Sequence, residues 1–503
     1  MSRLLRYVRN NWGVEPQCGH CRSTTPALIC GSCFEHVYCN VSCQVKHNYQ
    51  CIGGRLGDKK RGREEEKQEE ETEVDWKSIP YDVWEYIFSF LNTNDLKNAS
   101  SLSKDIARGV RRMFFRTFRF KITPQMANDP AFLKIQHEVK KVSMESDIMF
   151  MYFQNLVNVT DVRIWESYFG NVLPDSVLTL HLHIYNPEKL KRITNFPSKL
   201  VSLTISGPLG QSLDGILPRT LRYLELGETN APLNDLPESL EELRVLFAVD
   251  MPVYILKLPS MLRSLWIRGR FDQSLDLLRN TPNLERLAII GMFNQPLDHL
   301  PFSLTYLEMG DYFNQPIEGQ LPPNLKTLMF ANRFDQDIDG LLPAKLESLS
   351  LQDAAFNRSV DRLPASLLHL DLSAEGLFDQ PVNHLPPRLI KLELGNSFNQ
   401  DISAIPDSII DLSLGDTFNQ SLRKLPRGLK MLWIGEGYDQ ALPPLPHTLE
   451  ELSIRGSPVV MANRRLLHPF DFRYLPNLKV VEMDERTPDE DVLVNPGVEK
   501  QYF

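Results

Sequence analysis

Most of the 503-residue chain contains no cysteine, because all seven cysteines lie between Cys18 and Cys51. A secreted protein held by disulfides spreads its bridges along the chain and starts with a signal peptide. The first residues here, MSRLLRYVRNNWGVEP, are interrupted by arginines and have no apolar core of the required length. No later stretch approaches the roughly 18 uninterrupted apolar residues of a membrane span. We therefore expect an intracellular protein without a membrane partner, in the cytoplasm or in the nucleus, with its thiols reduced.

Excess positive charge and catalytic motifs are missing as well. The net charge of −9 argues against a protein that grips nucleic acid, since phosphate binding needs a basic face. The cysteine-free part contains no G-x-S-x-G sequence and no phosphate-binding loop, so we expect no enzyme and no catalytic residues. A chain of 503 residues is too long for one compact core, which predicts several domains or one extended repeat array.

A short repeat fills the larger part of the chain. Two successive units read LPFSLTYLEMGDYFNQPIEGQ and LPPNLKTLMFANRFDQDIDGL, and proline recurs every 19 to 23 residues. Such self-similarity predicts coils that each pack on their neighbours. The recurring prolines are Pro197, Pro218, Pro237, Pro259, Pro282, Pro301, Pro322, Pro343, Pro364, Pro386, Pro406, Pro426 and Pro446.

Each unit is expected to hold one short strand and one turn. The L-x-x-L-x-L stretch, for example Leu304, Leu307 and Met309, alternates at its end and predicts a strand with one face inward. The proline before the next strand fixes φ in an irregular connection. So short a unit leaves no room for a long helix, so we expect loops and single helical turns on the outer side. Thirteen stacked units would form one parallel strand ladder of about 60 Å.

Two residue types recur in the turn after each strand. A large ring is expected to fill the core between coils, and an Asn or Asp that follows it is expected to accept a backbone N–H of the turn. The rings are Phe313, Phe334, Phe356, Phe378, Phe398, Phe418 and Tyr438. The residues that follow such rings include Asn294, Asn314, Asn399, Asn419, Asp335 and Asp379.

The residues between the inward leucines project onto the face of the ladder and differ from coil to coil. One row runs from Glu225 to Ser453 and includes Ala288 and Ser350. This variation predicts a surface that is free to specialise, and large apolar groups often anchor interfaces. The alternative is that such rings only cover their neighbours on the sheet. The residues expected to bind the target protein are Tyr223, Trp266, Tyr306 and Trp433.

The repeat resembles a known family. Phe-Asn-Gln-Pro-Ile at 313–317 and Phe-Asn-Gln-Pro-Leu at 293–297 are similar to the FNIP repeat, a relative of leucine-rich repeats found in social amoebae and in giant viruses that infect them. A viral origin would imply the cytoplasm of the host cell. The resemblance implies FNIP repeats over 191–456, diverged first repeats or an N-terminal cap over 122–190, and a C-terminal cap and tail over 457–503. Arg358 replaces the usual Gln, and the units from Pro197 to Pro259 mostly lack the Phe-Asn pair.

A helical segment at 76–121 precedes these repeats, after a charged linker at 55–75. Apolar residues at Val83, Ile87 and Leu91 have helical spacing, and Asp95 fits the N-cap of a second helix. By spacing alone, the segment reads as a cap on the first coil. The linker begins with KKRGR at 59–63, which is either a nuclear address or the basic half of a solvated stretch.

The same segment resembles an F-box, through Ile79-Pro80, Ile87-Phe88, Phe90-Leu91 and Asp95-Leu96. It departs from the pattern in having Ile106 near the place where a tryptophan often occurs. The resemblance implies docking to a Skp-type adaptor of a cullin ubiquitin ligase. The residues that it implies for this contact are Ile79, Pro80, Val83, Ile87, Phe88, Leu91 and Leu96.

The cysteine cluster has the composition of a metal site. Eight soft ligands within 34 residues suffice for two tetrahedral zinc ions, and metal binding would supply folding energy that so short a segment lacks. Sites with four protein ligands have no open position for a water nucleophile, so we expect structural zinc. The ligands are Cys18, Cys21, Cys30, Cys33, Cys39, Cys43, His47 and Cys51.

The cluster resembles HIT and MYND zinc fingers, and the segment 14–54 fits either family. In those families alternate ligand pairs share a metal. Carried over, one zinc lies between Cys18, Cys21, Cys39 and Cys43. The remaining ligands, Cys30, Cys33, His47 and Cys51, hold the other.

Together these patterns predict a multidomain chain: a small cross-braced zinc finger, a helical F-box and a leucine-rich-repeat-like solenoid that is mostly β with loops. The function they favour is a substrate-recognition adaptor of a Skp–cullin–F-box ubiquitin ligase, with the solenoid binding an unknown target protein. The alternative is a non-catalytic scaffold for protein interactions without a link to ubiquitin ligation.

Overall fold

The computed structural model describes residues 28–29, 37–38, 119–121, 136, 139–144, 156–165, 173–185, 194–208, 211–229, 233–247, 255, 257–352, 354–373, 377–440, 442–455, 470–483, 487, 489 and 492–502. The chain divides into two compact units, residues 1–118 and 119–503. In the first unit, β1 (Leu28–Ile29) pairs with β2 (Val37–Tyr38) in antiparallel fashion. The eight predicted zinc ligands, the linker and the seven predicted adaptor contacts lie outside the described residues.

The second unit is built from short strands, one in each repeat. The first are β3 (Arg119–Lys121), β4 (Lys141–Met144), β5 (Asp161–Trp165), β6 (Thr179–His183), β7 (Ser202–Ser206), β8 (Tyr223–Thr229), β9 (Glu242–Phe247), β10 (Ser264–Gly269) and β11 (Arg286–Gly291). The next are β12 (Tyr306–Met309), β13 (Thr327–Phe330), β14 (Ser348–Ser350), β15 (His369–Leu372), β16 (Lys391–Leu394), β17 (Asp411–Leu414), β18 (Met431–Ile434) and β19 (Glu451–Ile454). The last are β20 (Phe470–Asp471), β21 (Val480–Met483), β22 (Val492–Leu493) and β23 (Glu499–Tyr502).

These strands pair in parallel with their sequence neighbours, and the inward leucines stay in register. Leu307 pairs with Leu287 on one side and with Leu328 on the other. The ladder continues through β21 and β23, so residues 480–502 add coils to the sheet. Strands β20 and β22 form a separate parallel pair. The predicted parallel strand ladder is confirmed.

The sequence did not predict that this ladder closes. Within the described part of the chain, the sheet contains 19 strands, and β23 is followed by β3. A closed sheet of parallel strands needs a bend of about 19° per repeat. The path along its 19 strands is about 90 Å, longer than the roughly 60 Å expected for thirteen units.

The aromatic core explains the direction of the bend. Rings Phe271, Phe293, Phe313 and their successors up to Tyr438 stack coil on coil, with centroids 6.0 to 6.5 Å apart. Neighbouring strands lie only about 4.8 Å apart. Each repeat from Phe271 to Tyr438 is therefore a wedge whose wide end holds the ring and whose narrow end holds the strand. The ring stack lies on the outside of the curve, and the opposite face of the strands points inward.

The outer side consists mostly of turns, as predicted. Its longest described helical element is a 3-10 helix at Leu275–Asn280, whose first turn is capped by the Ser274 side chain. Glycine after a strand lets successive coils approach closely. A Cβ atom on Gly310 would lie 2.5 Å from the backbone nitrogen of Gly291, so this position excludes any side chain.

Candidate protein-interaction surface

A ladder of side-chain oxygens fixes the turn after each strand. The Oδ1 atom of Asn294 accepts the backbone N–H of Asn314 at 2.9 Å, and Asn314 in turn accepts that of Asp335 at 3.0 Å. Asn399 accepts the backbone N–H of Asn419 at 2.8 Å in the same way. The predicted role of these residues is confirmed. These hydrogen bonds hold the strands in one register and thereby position the face of the sheet opposite the core.

The Gln of the Phe-Asn-Gln motif completes this ladder. The amide nitrogen of Gln336 donates to Oδ1 of Asn314 at 2.8 Å, so one oxygen accepts both a backbone and a side-chain donor. Arg358, which replaces the Gln in its unit, donates from Nε to the backbone and carboxylate oxygens of Asp335 at 2.8 and 3.1 Å. Arg358 therefore keeps the hydrogen bond to the preceding coil, although its donor is a guanidinium instead of an amide.

We call the side of the strands opposite the ring stack the inner face. Its side chains alternate with fully buried leucines, as the pattern of half-buried and buried residues in β12 and β16 shows. The two rows that the sequence predicted are both in register: Tyr306 pairs with Arg286 and Thr327, and Trp433 pairs with Ser413 and Ser453.

Three small residues on this face are not accessible. Ala288, Ser350 and Ser453 are 0%, 9% and 2% exposed. The prediction that the whole row is available to a partner was wrong at these positions. The reason is size, because each lies between longer side chains of the adjacent strands; Ser350, for example, donates to the carboxylate of Asp371 at 3.0 Å.

Three of the four predicted target-binding residues form one group, which we call the aromatic patch: Tyr223, Trp266 and Tyr306, with Arg244 and Arg286. The Trp266 and Tyr306 rings stack with centroids 6.1 Å apart. The Arg244 guanidinium lies 5.9 Å from the Tyr223 ring and 5.5 Å from the Trp266 ring, and the Arg286 guanidinium lies 4.8 Å from the Tyr306 ring. All three rings are half-buried.

Polar groups of the aromatic patch bond to one another. The Tyr306 hydroxyl donates to Glu308 at 2.6 Å, and the Tyr223 hydroxyl donates to Glu225. Burial, followed by these carboxylates, raises the pKa of both tyrosines above the ordinary value. Arg244 also forms an ion pair with Glu242 at 2.7 Å. The patch is therefore a preorganised surface.

Trp433, the fourth predicted residue, lies apart on β18. In the described structure no ring stacks on it and no guanidinium lies over it. Its register neighbours, Ser413 and Ser453, are both small. The structure thus leaves this half-buried indole without the partners that the aromatic patch supplies to Trp266.

A rim of ion pairs runs beside the inner face, at the residue that precedes each strand. Arg263 bonds to Glu285, and Lys326 lies 3.0 Å from Glu347. Lys430 lies 2.8 Å from Glu450, which also pairs with Lys479. These two lysines lower the pKa of Glu450 to about 2. Charges on the rim are therefore largely neutralised between coils.

A cavity of about 510 Å³ lies at the C-terminal ends of β6–β9 and was not predicted from the sequence. It is lined by Tyr185, Gly207, Glu225, Glu228 and Leu246, among others. A β-bulge in β8 shifts the register between Leu226 and Glu228, two of the residues that line this cavity. Gly227 could have predicted this feature, because a glycine inside a strand often marks a bulge or a site that a ligand approaches closely.

Among the described residues, no group of three or more His, Cys, Asp and Glu side chains is placed to hold a metal ion. No described helix is long and apolar enough to cross a membrane.

Comparison with known proteins places both modules. Residues 76–117 match the family model of the F-box domain, and residues 293–333, 313–353 and 378–417 match that of the FNIP repeat. The chain carries an F-box domain followed by FNIP repeats, and both predictions are confirmed. None of the curated proteins compared with the chain matches it.

The repeat unit is similar to solved leucine-rich-repeat structures. CroV588, described as a novel circular leucine-rich-repeat protein, is 23% identical with a TM-score of 0.52, over 77% of this chain and 71% of that protein. A leucine-rich-repeat protein of Leptospira interrogans is 16% identical with a TM-score of 0.42, over 76% and 96%. YopM of Yersinia enterocolitica is 16% identical with a TM-score of 0.35, over 82% and 100%. The predicted fold class, a parallel-strand solenoid of the leucine-rich-repeat kind, is confirmed.

Proposed function

We propose that this protein is a substrate-recognition adaptor of a Skp–cullin–F-box ubiquitin ligase. The observation that supports the proposal most is the order of the modules: an F-box match at 76–117 directly precedes the repeat unit that starts at 119. F-box and repeat modules are typically interaction modules without catalytic groups, so ubiquitin transfer would belong to the partner proteins.

The repeat unit supplies the surface for a target protein. Its inner face carries large rings on a rigid parallel sheet, and aromatic residues are enriched among those that dominate binding energy. Tyr223, Trp266, Tyr306 and Trp433 are the proposed target contacts. The N-terminal segment would add a structural domain with two zinc ions. We place the whole assembly in the cytoplasm or nucleus, in the host cell if the protein is viral.

The test of the proposal is co-purification of a Skp-type adaptor with the full chain. Replacement of Ile87 and Leu91 by lysine should abolish co-purification, because an unpaired charge buried at an apolar interface costs several kcal/mol. Glu85→Lys with Ser89→Lys is the matched control, since these residues have the same spacing but lie about two residues away, on the opposite side of a helix. The control should retain the adaptor.

Retention of the adaptor by the Ile87→Lys, Leu91→Lys variant would show that the segment only caps the repeats. The alternative function, a scaffold without ubiquitin ligation, would then be preferred. Absence of any Skp-type adaptor in the wild-type purification would lead to the same conclusion.

A further inference from the structure

The inner face is divided by charge, and one part of it is strongly acidic. We call the inner-face positions of β15–β21 the acidic arc. Its charged residues are Asp371, Glu393, Asp411, Glu451 and Glu482, with Lys391 as the one lysine.

Pairing within the arc is incomplete. Lys391 is shared by Glu393 at 2.7 Å and Asp411 at 3.6 Å. Within the described part of the chain, Glu451 and Glu482 form no ion pair. They lie on adjacent strands at diagonal positions, since Glu451 pairs with Val480 and Glu482 pairs with Ser453. The rim pairs beside them are neutralised coil by coil, so the sequence retains unpaired charge on the inner face specifically.

Two further groups in the arc lack a partner. Trp433 stands between the acidic strands with no ring or guanidinium on it. Ser453 lies in the same register row, between Trp433 and Glu482, and is 2% exposed. Its hydroxyl oxygen has no hydrogen-bond partner, and a buried polar group of this kind costs free energy until a partner is supplied.

The closed sheet limits the size of a ligand. Nineteen strands about 4.8 Å apart give a perimeter of about 90 Å and about 29 Å between opposite backbones. Inward side chains on both sides reduce the opening to roughly 17 Å, which admits a helix of about 10–12 Å or an extended chain. A folded domain of about 100 residues, with a radius of gyration of about 13 Å, does not fit.

From these observations we infer that the acidic arc binds one basic segment of a partner protein, extended or as a single helix, with Trp433 as the central apolar contact. Lysine and arginine side chains would pair with Glu451 and Glu482, and a cationic group or the aliphatic stem of a lysine would cover the indole. This inference rests on the proposed function, because it names the chemistry of the target segment.

The test uses the full chain and two mixed libraries of disordered 15-residue peptides. One library has Lys or Arg at alternate positions, and the other has Glu or Asp at the same positions. We expect the full chain to retain the basic library at least about tenfold more strongly, because Glu451 and Glu482 form no ion pair in the described structure. A compact folded domain of about 100 residues with the same net positive charge should not bind.

Variants locate the contact. Trp433→Ala should weaken retention of the basic library about tenfold or more, as loss of an anchoring aromatic does. Glu451→Gln with Glu482→Gln should do the same. The control is Glu285→Gln with Glu347→Gln, which removes the same charge from the paired rim and should change retention by less than about twofold. Thermal unfolding of each variant reports whether the repeats remain folded.

Equal retention of the two libraries would overturn the inference, and so would equal effects of the inner-face and rim variants in folded protein. Binding of the folded basic domain as tightly as the peptides would overturn the size limit. Failure here is distinct from failure of the proposed function. An Ile87→Lys, Leu91→Lys chain that loses its adaptor should still select basic peptides, and a chain that ignores them can still bind the adaptor.

Discussion

Single side chains on the turns hold successive coils together by hydrogen bonds rather than by packing. Asn314 accepts the backbone N–H of Asp335 and the amide of Gln336 through one oxygen, and the same arrangement recurs at Asn399. Aspartate substitutes at the equivalent position in Asp379, which accepts from Asn399 at 2.8 Å. The position therefore requires a side chain of the length of Asn or Asp that ends in an oxygen acceptor.

Replacement of Asn314 tests this requirement. Asn314→Ala leaves the backbone N–H of Asp335 without an acceptor in a part-buried turn, and it should lower the free energy of unfolding by about 1–3 kcal/mol. Asn314→Asp keeps the acceptor and should cost clearly less. Urea denaturation measures both. Equal losses of unfolding free energy in the two variants would show that the Asn314 side chain stabilises the turn in some way other than by accepting this hydrogen bond.

At the scale of the element, a stack of buried rings fills the space behind the sheet. Phe334 is 0% exposed, and its ring lies 6.1 Å from that of Phe313 and 6.5 Å from that of Phe356. The stack tolerates a hydroxyl at its end, since Tyr438 takes the same place and burial raises its pKa to about 12. It does not accommodate loss of a ring, because the coils on both sides contact it.

Phe334→Ala should therefore destabilise the repeats by about 3–5 kcal/mol, the usual cost of an aromatic-sized cavity. The control is Phe302→Ala, since Phe302 is 76% exposed and its loss should change stability by less than about 0.5 kcal/mol. Thermal or urea unfolding of the full chain measures both. Similar effects of the two substitutions would contradict a core made of stacked rings.

At the scale of the whole molecule, closure protects strand edges that would otherwise be exposed. An edge strand with unpaired backbone groups is a template for association with another chain. In the described sheet, β19 pairs with β21 and β23 is followed by β3. The last coils are therefore part of the closed sheet rather than a tail.

Removal of residues 456–503 opens the sheet at β19 and β3. We expect the shortened chain to self-associate at concentrations where the full chain remains monodisperse, because two edges are exposed. Light scattering of both chains measures this. A shortened chain that stays monomeric with unchanged thermal stability would argue that the edges are protected in another way.

The predicted zinc ions also bear on the whole molecule, because their expected ligands lie in the N-terminal segment and not in the repeats. All eight expected ligands lie between Cys18 and Cys51, and metal binding to such a segment supplies its folding energy. A chelator should unfold this segment and leave the unfolding transition of the repeats unchanged. Metal analysis should find about two zinc ions per chain. Seven freely titratable thiols in native, metal-free protein would contradict the prediction.

The sequence by itself determined the parts that repeat. The alternation around Leu304 and Leu307, the recurring rings and the Phe-Asn-Gln turns each predict a local structure, because neighbouring coils supply the same environment every time. It also predicted which residues occupy the inner face, since a strand alternates its side chains with period two. The F-box could be predicted from the sequence for a different reason, because its motif has a fixed spacing.

Only the tertiary structure decided the closure of the sheet and the exposure of side chains, because both depend on how many repeats are arranged together. A bend of about 19° per repeat follows from the closure of 19 strands, and no residue pattern in a single repeat states that 19 such bends meet. Accessibility within the inner face was decided in the same way: Ser453 and Trp433 share a row, yet one is buried and the other is half-exposed. Exposure and closure depend on neighbours that lie a whole coil or a whole ring away, whereas the sequence pattern reports only what each coil contains.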